Sequence, residues 1–284
     1  MITVLEAIRL STEYLDKKKI DSPRINAELL LAHIIGCKRL DLYLAFDRPL
    51  TEPELNIYRG LIKRRASYEP LQYIIGTVEF YGLVFKVTSS VLIPRPETEL
   101  LVENIIKELS DKEQLNILEI GCGSGNIAIS LAYHLKQAQI ITTDISDAAL
   151  NLAKENSQKL GVAERISFIR HNILTDDLLR FSMFDLVVSN PPYVSLQSYS
   201  SLQKEIMDFE PRLAVTDESD GLTFYRIISE KVSGNIKKGG KLFFEISHGQ
   251  CDDVKSIMTK NNFSKIEVIK DYQNIERIVV GVLK

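Results

Sequence analysis

Cysteines, long apolar runs and an excess of basic residues are scarce or absent in this sequence, and each absence excludes a class of protein. The chain has three cysteines, and none has a second cysteine or a histidine at metal-ligand spacing, which argues against a disulfide framework and a zinc site. No apolar run reaches the roughly 18 residues of a transmembrane helix. We therefore expect a protein of the reducing cytoplasm that spans no membrane and holds no structural metal.

The charge balance gives no general attraction for nucleic acid. Lysine and arginine together number 35 against 38 aspartate and glutamate residues, a net charge of −3, so any partner must be recognised at a local site. A chain of 284 residues with 45% hydrophobic and 26% charged residues is typical of a globular protein with one large or two unequal domains.

Residues 1–72 are predicted to form a small helical-bundle domain. Apolar residues recur at helical spacing over residues 4–15, and Ser22-Pro23 and Gly36 mark the start and the end of a second helix. Residues 51–54 have the spacing of a capping box in front of a third helix. The charges of this region are interpreted as solvated helix faces.

Residues 73–90 are interpreted as a β-hairpin linker, because alternating apolar residues flank Tyr81-Gly82. Over residues 91–284, short apolar strands alternate with helical patterns, which is typical of a doubly wound, mostly parallel α/β sheet. The predicted strands cover residues 117–120, 140–143, 166–169, 184–189, 242–246, 265–269 and 277–282. Between Tyr193 and Gly221 the chain is polar and rich in serine, and we expect a mobile substrate loop there.

A glycine-rich loop follows the first strand of this predicted sheet. Its sequence is Gly121-Cys122-Gly123-Ser124-Gly125, and glycines between a strand and a helix let a ligand approach the backbone and the free N–H groups of the helix. Asn126 stands where a nicotinamide-type loop has its third glycine, and the lysine of a phosphate-binding loop is absent. A tight structural turn is the alternative.

Two carboxylates flank the loop and indicate a nucleoside without phosphate groups. Glu119 lies just before the loop, and Asp144 ends the second predicted strand, where it can accept hydrogen bonds from both ribose hydroxyls. Such a pocket favours a cationic nucleoside such as S-adenosyl-L-methionine. The predicted cofactor-binding residues are therefore Glu119, Gly121, Cys122, Gly123, Ser124, Gly125 and Asp144.

The tetrapeptide Asn190-Pro191-Pro192-Tyr193 closes the apolar strand at residues 184–189 and is the candidate acceptor site. Its prolines fix the backbone and leave carbonyl groups free. Asn190 and a proline carbonyl can then accept the two N–H groups of a planar amide or aromatic amine, while Tyr193 covers its flat face. All four residues are predicted to be catalytic, and Asn190 is also counted with the cofactor site. A strand-ending proline turn is the alternative.

Both candidate sites end strands of one parallel sheet, so they should meet at its carboxyl edge. A methyl group held by the glycine loop could then face the nitrogen held by Asn190 at a near-attack distance of roughly 3 Å, which can provide most of the acceleration. No metal is required, and no general base is evident. His171 and His248 are interpreted as structural residues.

Together these motifs resemble the release factor glutamine methyltransferase family, the HemK-like enzymes that methylate the glutamine of the Gly-Gly-Gln motif in peptide chain release factors. The likeness covers nearly all of the chain and is carried by residues 69–76, 92–99, 121–125, 190–193, 209–212, 220–222, 271–272 and 276–277. It implies a helical domain that helps to bind the release factor, a hairpin linker, and a seven-stranded class I methyltransferase domain that uses S-adenosyl-L-methionine. We expect a monomer whose partner is a protein rather than nucleic acid or a membrane.

Two stretches depart from the family pattern. Such enzymes usually have an acidic residue near the adenine after the third strand of the methyltransferase domain, where this chain has His171-Asn172. Asn172 is the candidate for that contact, because its amide can still hydrogen-bond the base. Residues 216–219 lack the glycine pair often found there, which bears on loop flexibility.

The tetrapeptide alone also fits nucleic-acid adenine-N6 methyltransferases and ribosomal-protein glutamine methyltransferases. The acidic net charge and the absence of an evident basic, aromatic-rich face argue against a nucleic-acid substrate. Intact glycines, Asp144 and the complete tetrapeptide argue against a catalytically silent binding module. The combination favours a protein glutamine methyltransferase.

Overall fold

The structure, a computed structural model, describes residues 2–177 and 183–284; residues 1 and 178–182, which fall within the two predicted domains, lie outside the described residues. The chain divides into two compact units. The first contains Met1–Thr77 and Gln203–Phe209, and the second contains Val78–Leu202 and Glu210–Lys284. Within the described ranges, no helix is long and apolar enough to cross a membrane.

Helices come first along the chain, then a hairpin, and then alternating strands and helices. The helices are α1 (Val4–Lys17), α2 (Pro23–Ile35), α3 (Glu52–Ala66), α4 (Leu71–Ile75), α5 (Pro96–Leu109), α6 (Asn126–His134), α7 (Asp147–Lys159), α8 (Leu196–Tyr199), α9 (Lys204–Phe209), α10 (Arg212–Val215), α11 (Thr223–Val232) and α12 (Cys251–Lys260), with 3₁₀ turns at Arg39–Leu44 and Ala163–Arg165. The strands are β1 (Thr77–Phe80), β2 (Leu83–Lys86), β3 (Leu115–Ile120), β4 (Ala138–Asp144), β5 (Ile166–Arg170), β6 (Phe184–Ser189), β7 (Ile236–Glu245), β8 (Phe263–Lys270) and β9 (Glu276–Leu283).

The first unit is a helical bundle whose start and stop signals are those of the sequence. Helix α2 ends at Gly36, which has a φ of 75° that an L side chain would resist. Thr51 and Glu54 form the predicted capping box of α3, in which the Thr51 N–H donates to the Glu54 carboxylate at 2.8 Å. The predicted helical bundle is confirmed. Its buried core is made of Val4, Ala7, Ile8, Leu15, Ile20, Ala27, Leu30, Leu31, Ala32, Leu42, Leu50, Leu55, Tyr58, Ile62 and Ile74.

A seven-stranded sheet forms the centre of the second unit. Its strand order is β5-β4-β3-β6-β7-β9-β8. Strands β3 to β7 are parallel, and β9 pairs antiparallel with both β7 and β8. The strand order changes direction at β3, which has β4 on one side and β6 on the other, and such a switch point opens a crevice at the carboxyl edge of the sheet. The predicted mostly parallel, doubly wound fold is confirmed.

Helices cover both faces of this sheet. Ile117 of β3 packs with α5 and α6 on one face, whereas its neighbour Leu118 packs with α11 and α12 on the other. In β6, Leu186 and Val188 belong to the first face and Val187 to the second. All of these side chains are buried. Two covered faces explain why the central strand β6 contains a continuous apolar run, Leu186-Val187-Val188, and does not alternate with polar residues.

The predicted hairpin is present, but it begins later than residue 73. Strands β1 and β2 turn at Tyr81 and Gly82, which have φ values of 49° and 72°. Residues 71–75 instead form α4, which Gly76 ends with a φ of 82°. Local periodicity could not separate the end of this short helix from the strand that follows it.

The segment between Tyr193 and Gly221 is predicted from the sequence to be a mobile substrate loop, and the part of this prediction that excludes elements of the fold is wrong. This segment contains the short helices α8, α9 and α10. Helix α9 belongs to the first unit, where Glu205 forms an ion pair with Arg65, and Lys204 lies 5.1 Å from the ring centre of Tyr68. Helices this short carry no readable apolar period, and their partners are distant in the sequence, so the pattern did not reveal them.

Candidate active site

A cavity of about 290 Å³ opens at the carboxyl edge of the parallel strands. Its wall includes the ends of β3, β4, β5 and β6, the loop before α5, and Pro211, Leu213 and Ala214. The predicted site residues that line it are Gly121, Cys122, Gly123, Asp144, Asn172, Asn190, Pro191 and Pro192. The structure therefore brings the glycine loop, the second-strand aspartate and the acceptor turn to one cavity.

The glycine loop is held against the end of β4. Gly121 and Cys122 both donate their N–H groups to the Thr143 carbonyl at 2.9 Å. Gly121 and Gly125 have φ values of 87° and 80°, in the left-handed region that favours glycine. A Cβ atom at Gly125 would also lie 2.7 Å from the Ile129 side chain, so the glycine lets the loop pass close to α6.

Asp144 ends β4 with one hydrogen bond on each carboxylate oxygen. Its Oδ2 accepts the N–H of Gly123 at 3.0 Å, and its Oδ1 accepts the N–H of Ser146 at 2.9 Å. Because a carboxylate oxygen has two lone pairs, each oxygen can accept one further hydrogen bond. The carboxylate lines the cavity, so this acceptor pair fits the two hydroxyls of a ribose.

Glu119 does not line the cavity, contrary to the expectation for a cofactor ligand. Its side chain is buried below the glycine loop, where its Oε2 accepts the Thr142 hydroxyl at 2.5 Å. Burial raises the pKa of Glu119 to about 8, and the hydrogen bond from Thr142 opposes this rise. As an alternate residue of β3, it points into the protein and not beyond the strand end. Glu119 thus connects β3 to Thr142 of β4 beside the glycine loop.

Ser124, Gly125 and Tyr193 also lie outside the cavity wall. Ser124 is buried, and its carbonyl accepts the Nδ2 of Asn156 at 2.9 Å. Tyr193 is half-buried against the face of the sheet that α11 and α12 cover. Burial raises the pKa of the Tyr193 phenol above its usual range, so the ring stays neutral.

The acceptor turn is fixed at three points by side chains. The Nδ2 of Asn190 donates to the Thr98 hydroxyl at 3.2 Å, and the Ser189 hydroxyl donates to the Ile120 carbonyl at 2.7 Å. The Nε2 of Gln250 donates to the Tyr193 carbonyl at 2.9 Å. With Nδ2 turned to Thr98, the Oδ1 of Asn190 is the end of the amide that can accept from a substrate.

After β5, His171 and Asn172 both line the cavity. The Oδ1 of Asn172 accepts the N–H of Leu174 at 3.0 Å, which leaves the amide NH₂ group able to donate. His171 is buried, and its burial lowers the pKa of the imidazole. His248 is exposed and lies outside the cavity wall.

The motif analysis assigned no site role to an ion pair beside the cavity. Glu210 is buried, accepts from the Arg95 guanidinium at 2.5 Å, and also accepts the N–H of Ile93 at 3.3 Å. It thereby ties the loop before α5 to the segment after the acceptor turn. The sequence contained one indication that these residues matter, because both lie in motifs of the resembled family, at residues 92–99 and 209–212.

Comparisons with known proteins identify the family. The family model described as the PrmC N-terminal domain matches residues 6–76, and the methyltransferase small domain model matches residues 96–212. A Chlorobaculum tepidum protein named release factor glutamine methyltransferase is 38% identical over 282 residues, which cover 97% of this chain and 95% of that protein. A Geobacter sulfurreducens protein of the same name is 38% identical over 279 residues, which cover 98% and 96%.

Among solved structures, a methyltransferase from Pyrococcus furiosus matches 72% of this chain and 90% of its own, with a TM-score of 0.52 and 16% identity. At that identity the likeness shows the fold alone. The fold and the methyltransferase domain are those of a class I methyltransferase, an enzyme that uses S-adenosyl-L-methionine. Given its identity to curated relatives over nearly the full length, the chain belongs to the release factor glutamine methyltransferase family.

Proposed function

We propose that this chain transfers a methyl group from S-adenosyl-L-methionine to the side-chain amide nitrogen (N5) of the glutamine in the Gly-Gly-Gln motif of peptide chain release factors. The observation that carries the proposal is the closeness of the two candidate sites. A Cβ atom at Gly121 would lie 3.8 Å from the Asn190 carbonyl oxygen, so the glycine loop and the acceptor turn face the same space. The names of the relatives support the substrate.

The cofactor would be held by the residues around the glycine loop. Asp144 would accept the ribose hydroxyls through its two remaining lone pairs, and Gly121 and Gly123 would let the ligand approach the backbone. The Asn172 amide would donate to the adenine, while Glu119 would act indirectly by holding Thr142 of β4. When bound, the cofactor supplies an electrophilic methyl group on a cationic sulfur.

The glutamine amide would be held by the acceptor turn. The Oδ1 of Asn190 and a carbonyl of Pro191 or Pro192 would accept its two N–H groups. Tyr193 lies outside the cavity wall and would support the turn without packing on the amide as the sequence predicted. An amide nitrogen is a weak nucleophile, and carbonyl dipoles on its hydrogens would stabilise the positive charge that develops as the new C–N bond forms and the methyl–sulfur bond breaks. The electron pair of the broken bond would stay on the sulfur as a neutral thioether, and the nitrogen would release one proton to water.

The two units are proposed to have separate roles. Residues 1–72 would dock the release factor, residues 73–90 would link the domains, and residues 91–284 would carry the chemistry. The match of residues 6–76 to its own family model supports a distinct first domain. We also propose a monomer that acts in the cytoplasm, where release factors work, and that touches no nucleic acid; the net charge of −3 is compatible with this.

The test measures transfer of isotope-labelled methyl from S-adenosyl-L-methionine to purified release factor, to its Gln→Glu variant, to DNA and to RNA. We expect label on the release factor alone, because the glutamate variant keeps the shape of the side chain but has no nitrogen to attack. Label on DNA or RNA, with none on release factor, would replace this proposal with the adenine-N6 alternative. Label on a ribosomal protein alone would favour the ribosomal-protein glutamine alternative.

A further inference from the structure

A buried carboxyl group lies beside the acceptor turn, and the mechanism above does not use it. The register of β7 on β6 pairs Phe244 with Ser189, so that Glu245 and Asn190 follow side by side at the edge of the sheet. Glu245 is 3% exposed, and its Oε2 has no hydrogen-bond partner in the described part of the chain. Burying an incompletely paired carboxyl destabilises a fold, so its presence here calls for a compensating role.

Thr98 connects this carboxyl to Asn190. It lies in the first turn of α5, is 1% exposed, and accepts a hydrogen bond from the Nδ2 of Asn190 at 3.2 Å. Because a hydroxyl has a single hydrogen, that hydrogen stays available for a second acceptor. Burial raises the pKa of Glu245 to about 7, and hydrogen bonding from Thr98 and, more weakly, from Asn190 opposes this rise. The three side chains form one cluster, in which Thr98 is hydrogen-bonded to Asn190 and acts on the Glu245 carboxyl.

In the described part of the chain, the charged side chains near Glu245 do not form a salt bridge with its carboxyl. Arg277 is the basic group that acts on Glu245, but its guanidinium donates to Asp271 at 2.8 Å and lies 3.9 Å from Glu97. Over residues 2–177 and 183–284, Glu245 forms no ion pair within 4.0 Å. No salt bridge within these ranges therefore neutralises this carboxyl, and Thr98 is the hydroxyl that acts on it.

The polarity of this cluster decides which end of the Asn190 amide faces the cavity. The two ends of an asparagine amide have nearly the same shape but opposite hydrogen-bonding character. Because the Nδ2 of Asn190 donates to the Thr98 hydroxyl, Oδ1 is left for the substrate, and the hydroxyl hydrogen can turn to the Glu245 carboxyl. A flipped amide would set its own NH₂ group against the NH₂ group of the glutamine.

We propose that Glu245 and Thr98 are positioning residues, which hold the Asn190 amide in the orientation that lets Oδ1 receive the NH₂ group of the acceptor. Glu245 acts through Thr98 and Asn190 and does not touch the reacting atoms. For its effect on turnover, this inference rests on the proposed function. The Asn190–Thr98 hydrogen bond of this cluster exists without substrate and can be measured separately.

The kinetic test compares variants that keep or remove the Thr98 hydroxyl and the Glu245 carboxyl. Thr98→Val keeps the shape of the side chain and removes its hydroxyl, whereas Thr98→Ser keeps the hydroxyl. We expect kcat on release factor to fall at least about tenfold in Thr98→Val and Glu245→Gln, with KM changed less than about threefold, and Thr98→Ser to retain most of kcat. In an Asn190→Ala background, Glu245→Gln should cause no further loss. Ser229→Ala removes a buried hydroxyl that has no hydrogen-bond partner among the described residues, and it is the control.

A second measurement does not depend on the substrate. In ¹⁵N-labelled protein, the Asn190 NH₂ protons, assigned by their loss in Asn190→Ala, should exchange at least about tenfold faster with solvent in Thr98→Val and Glu245→Gln than in the wild type or Thr98→Ser. Unchanged exchange in both variants, or full kinetic losses that persist in the Asn190→Ala background, would overturn the positioning role. Protected protons in a wild-type chain that leaves release factor unmethylated would support the cluster and overturn the proposed function alone.

Discussion

At the scale of single residues, Asp144 is the side chain whose role in cofactor binding is most directly testable. Its two oxygens each hold one backbone N–H, from Gly123 and Ser146, and each can accept one hydroxyl more. A hydrogen bond to a charged group contributes about 1.5–3 kcal/mol. Asp144→Ala should therefore weaken S-adenosyl-L-methionine binding at least about tenfold, as measured by calorimetric titration.

The matched control is Asp147→Ala, which removes an aspartate three positions along the chain. The Asp147 side chain is 64% exposed and pairs with Arg170 at 3.5 Å, outside the cavity wall. Its removal should leave cofactor affinity within about twofold of the wild type, because surface ion pairs contribute little. Equal affinities for the two variants would remove Asp144 from the cofactor site.

Glu119 links stability to pH. Its pKa is about 8 in the folded chain, raised by burial from 4.5, so between these values the folded chain keeps a proton that the unfolded chain has lost. The stabilising effect of that proton is fully present below pH 4.5 and is lost as the pH rises through 8. The folded state should accordingly become less stable on the alkaline side of this window.

Glu119→Gln removes this dependence because an amide does not titrate in the window. Relative to the wild type, the free energy of unfolding of the variant should rise by at least about 1 kcal/mol between pH 5 and pH 8, measured by urea denaturation. Glu13→Gln, which removes a half-exposed carboxyl on α1, serves as the control and should show no such change. The same difference from wild type at both pH values would contradict the buried, protonated state of Glu119.

At the scale of elements, the sequence correctly predicted the helix ends and the strands, which are determined by residues close together in the chain. Gly36 ends α2, Thr51 and Glu54 cap α3, and the apolar runs became strands of the sheet, because each signal lies within the element that it shapes. Gly121, Asp144 and Asn190 met at one cavity because parallel strands share a carboxyl edge. Glu119 does not line this cavity, because its side chain points from β3 into the protein interior.

Sequence patterns could not predict interactions between residues that are far apart in the chain. The Asn190–Thr98 hydrogen bond spans 92 residues, and the Gln250–Tyr193 bond spans 57. No local spacing encodes such pairs, because the fold alone brings the side chains together. The same holds for α9, whose ion pair to Arg65 spans 140 residues. The polar sequence of this segment had led to the prediction of a loop.

The support of the acceptor turn by Gly221 is a testable case of such an interaction. Gly221 has a φ of 82°, and a Cβ atom there would lie 2.5 Å from the Tyr193 carbonyl oxygen. Gly239 has a nearly equal φ of 79°, with open space around its Cβ position. Alanine at the two positions therefore shares the backbone strain and differs in the clash with the turn.

We expect Gly221→Ala to lower the free energy of unfolding by at least about 1 kcal/mol more than Gly239→Ala does. Gly221→Ala should also reduce kcat, because its clash displaces the Tyr193 carbonyl, while Gly239→Ala should leave kcat close to that of the wild type. Urea denaturation and initial-rate kinetics measure the two effects. Equal losses of stability and activity would show that the Gly221–Tyr193 contact does not shape the turn.

At the scale of the whole molecule, the chemistry and the proposed docking role belong to different parts of the chain. Every residue that lines the cavity lies in the second unit, between Ser90 and Ile228. The first unit nevertheless includes Gln203–Phe209, a segment that follows the acceptor turn in the sequence. Removing the first domain would therefore leave Glu205 without its Arg65 partner as well as deleting a docking surface.

A shortened chain that begins at residue 73 tests the docking role, provided that the loss of the Glu205–Arg65 ion pair is controlled. It should bind S-adenosyl-L-methionine within about threefold of the full chain, because the cavity wall is intact. Its kcat/KM on intact release factor should fall at least about tenfold, while a short Gly-Gly-Gln peptide, which is too small to need a docking domain, should be methylated at a rate close to that of the full chain. The full-length Glu205→Gln variant breaks the same ion pair without removing the domain, and it should retain activity on both substrates. An equal loss on factor and peptide would mean damage to the catalytic unit, and full activity on the intact factor would rule out residues 1–72 as the docking element.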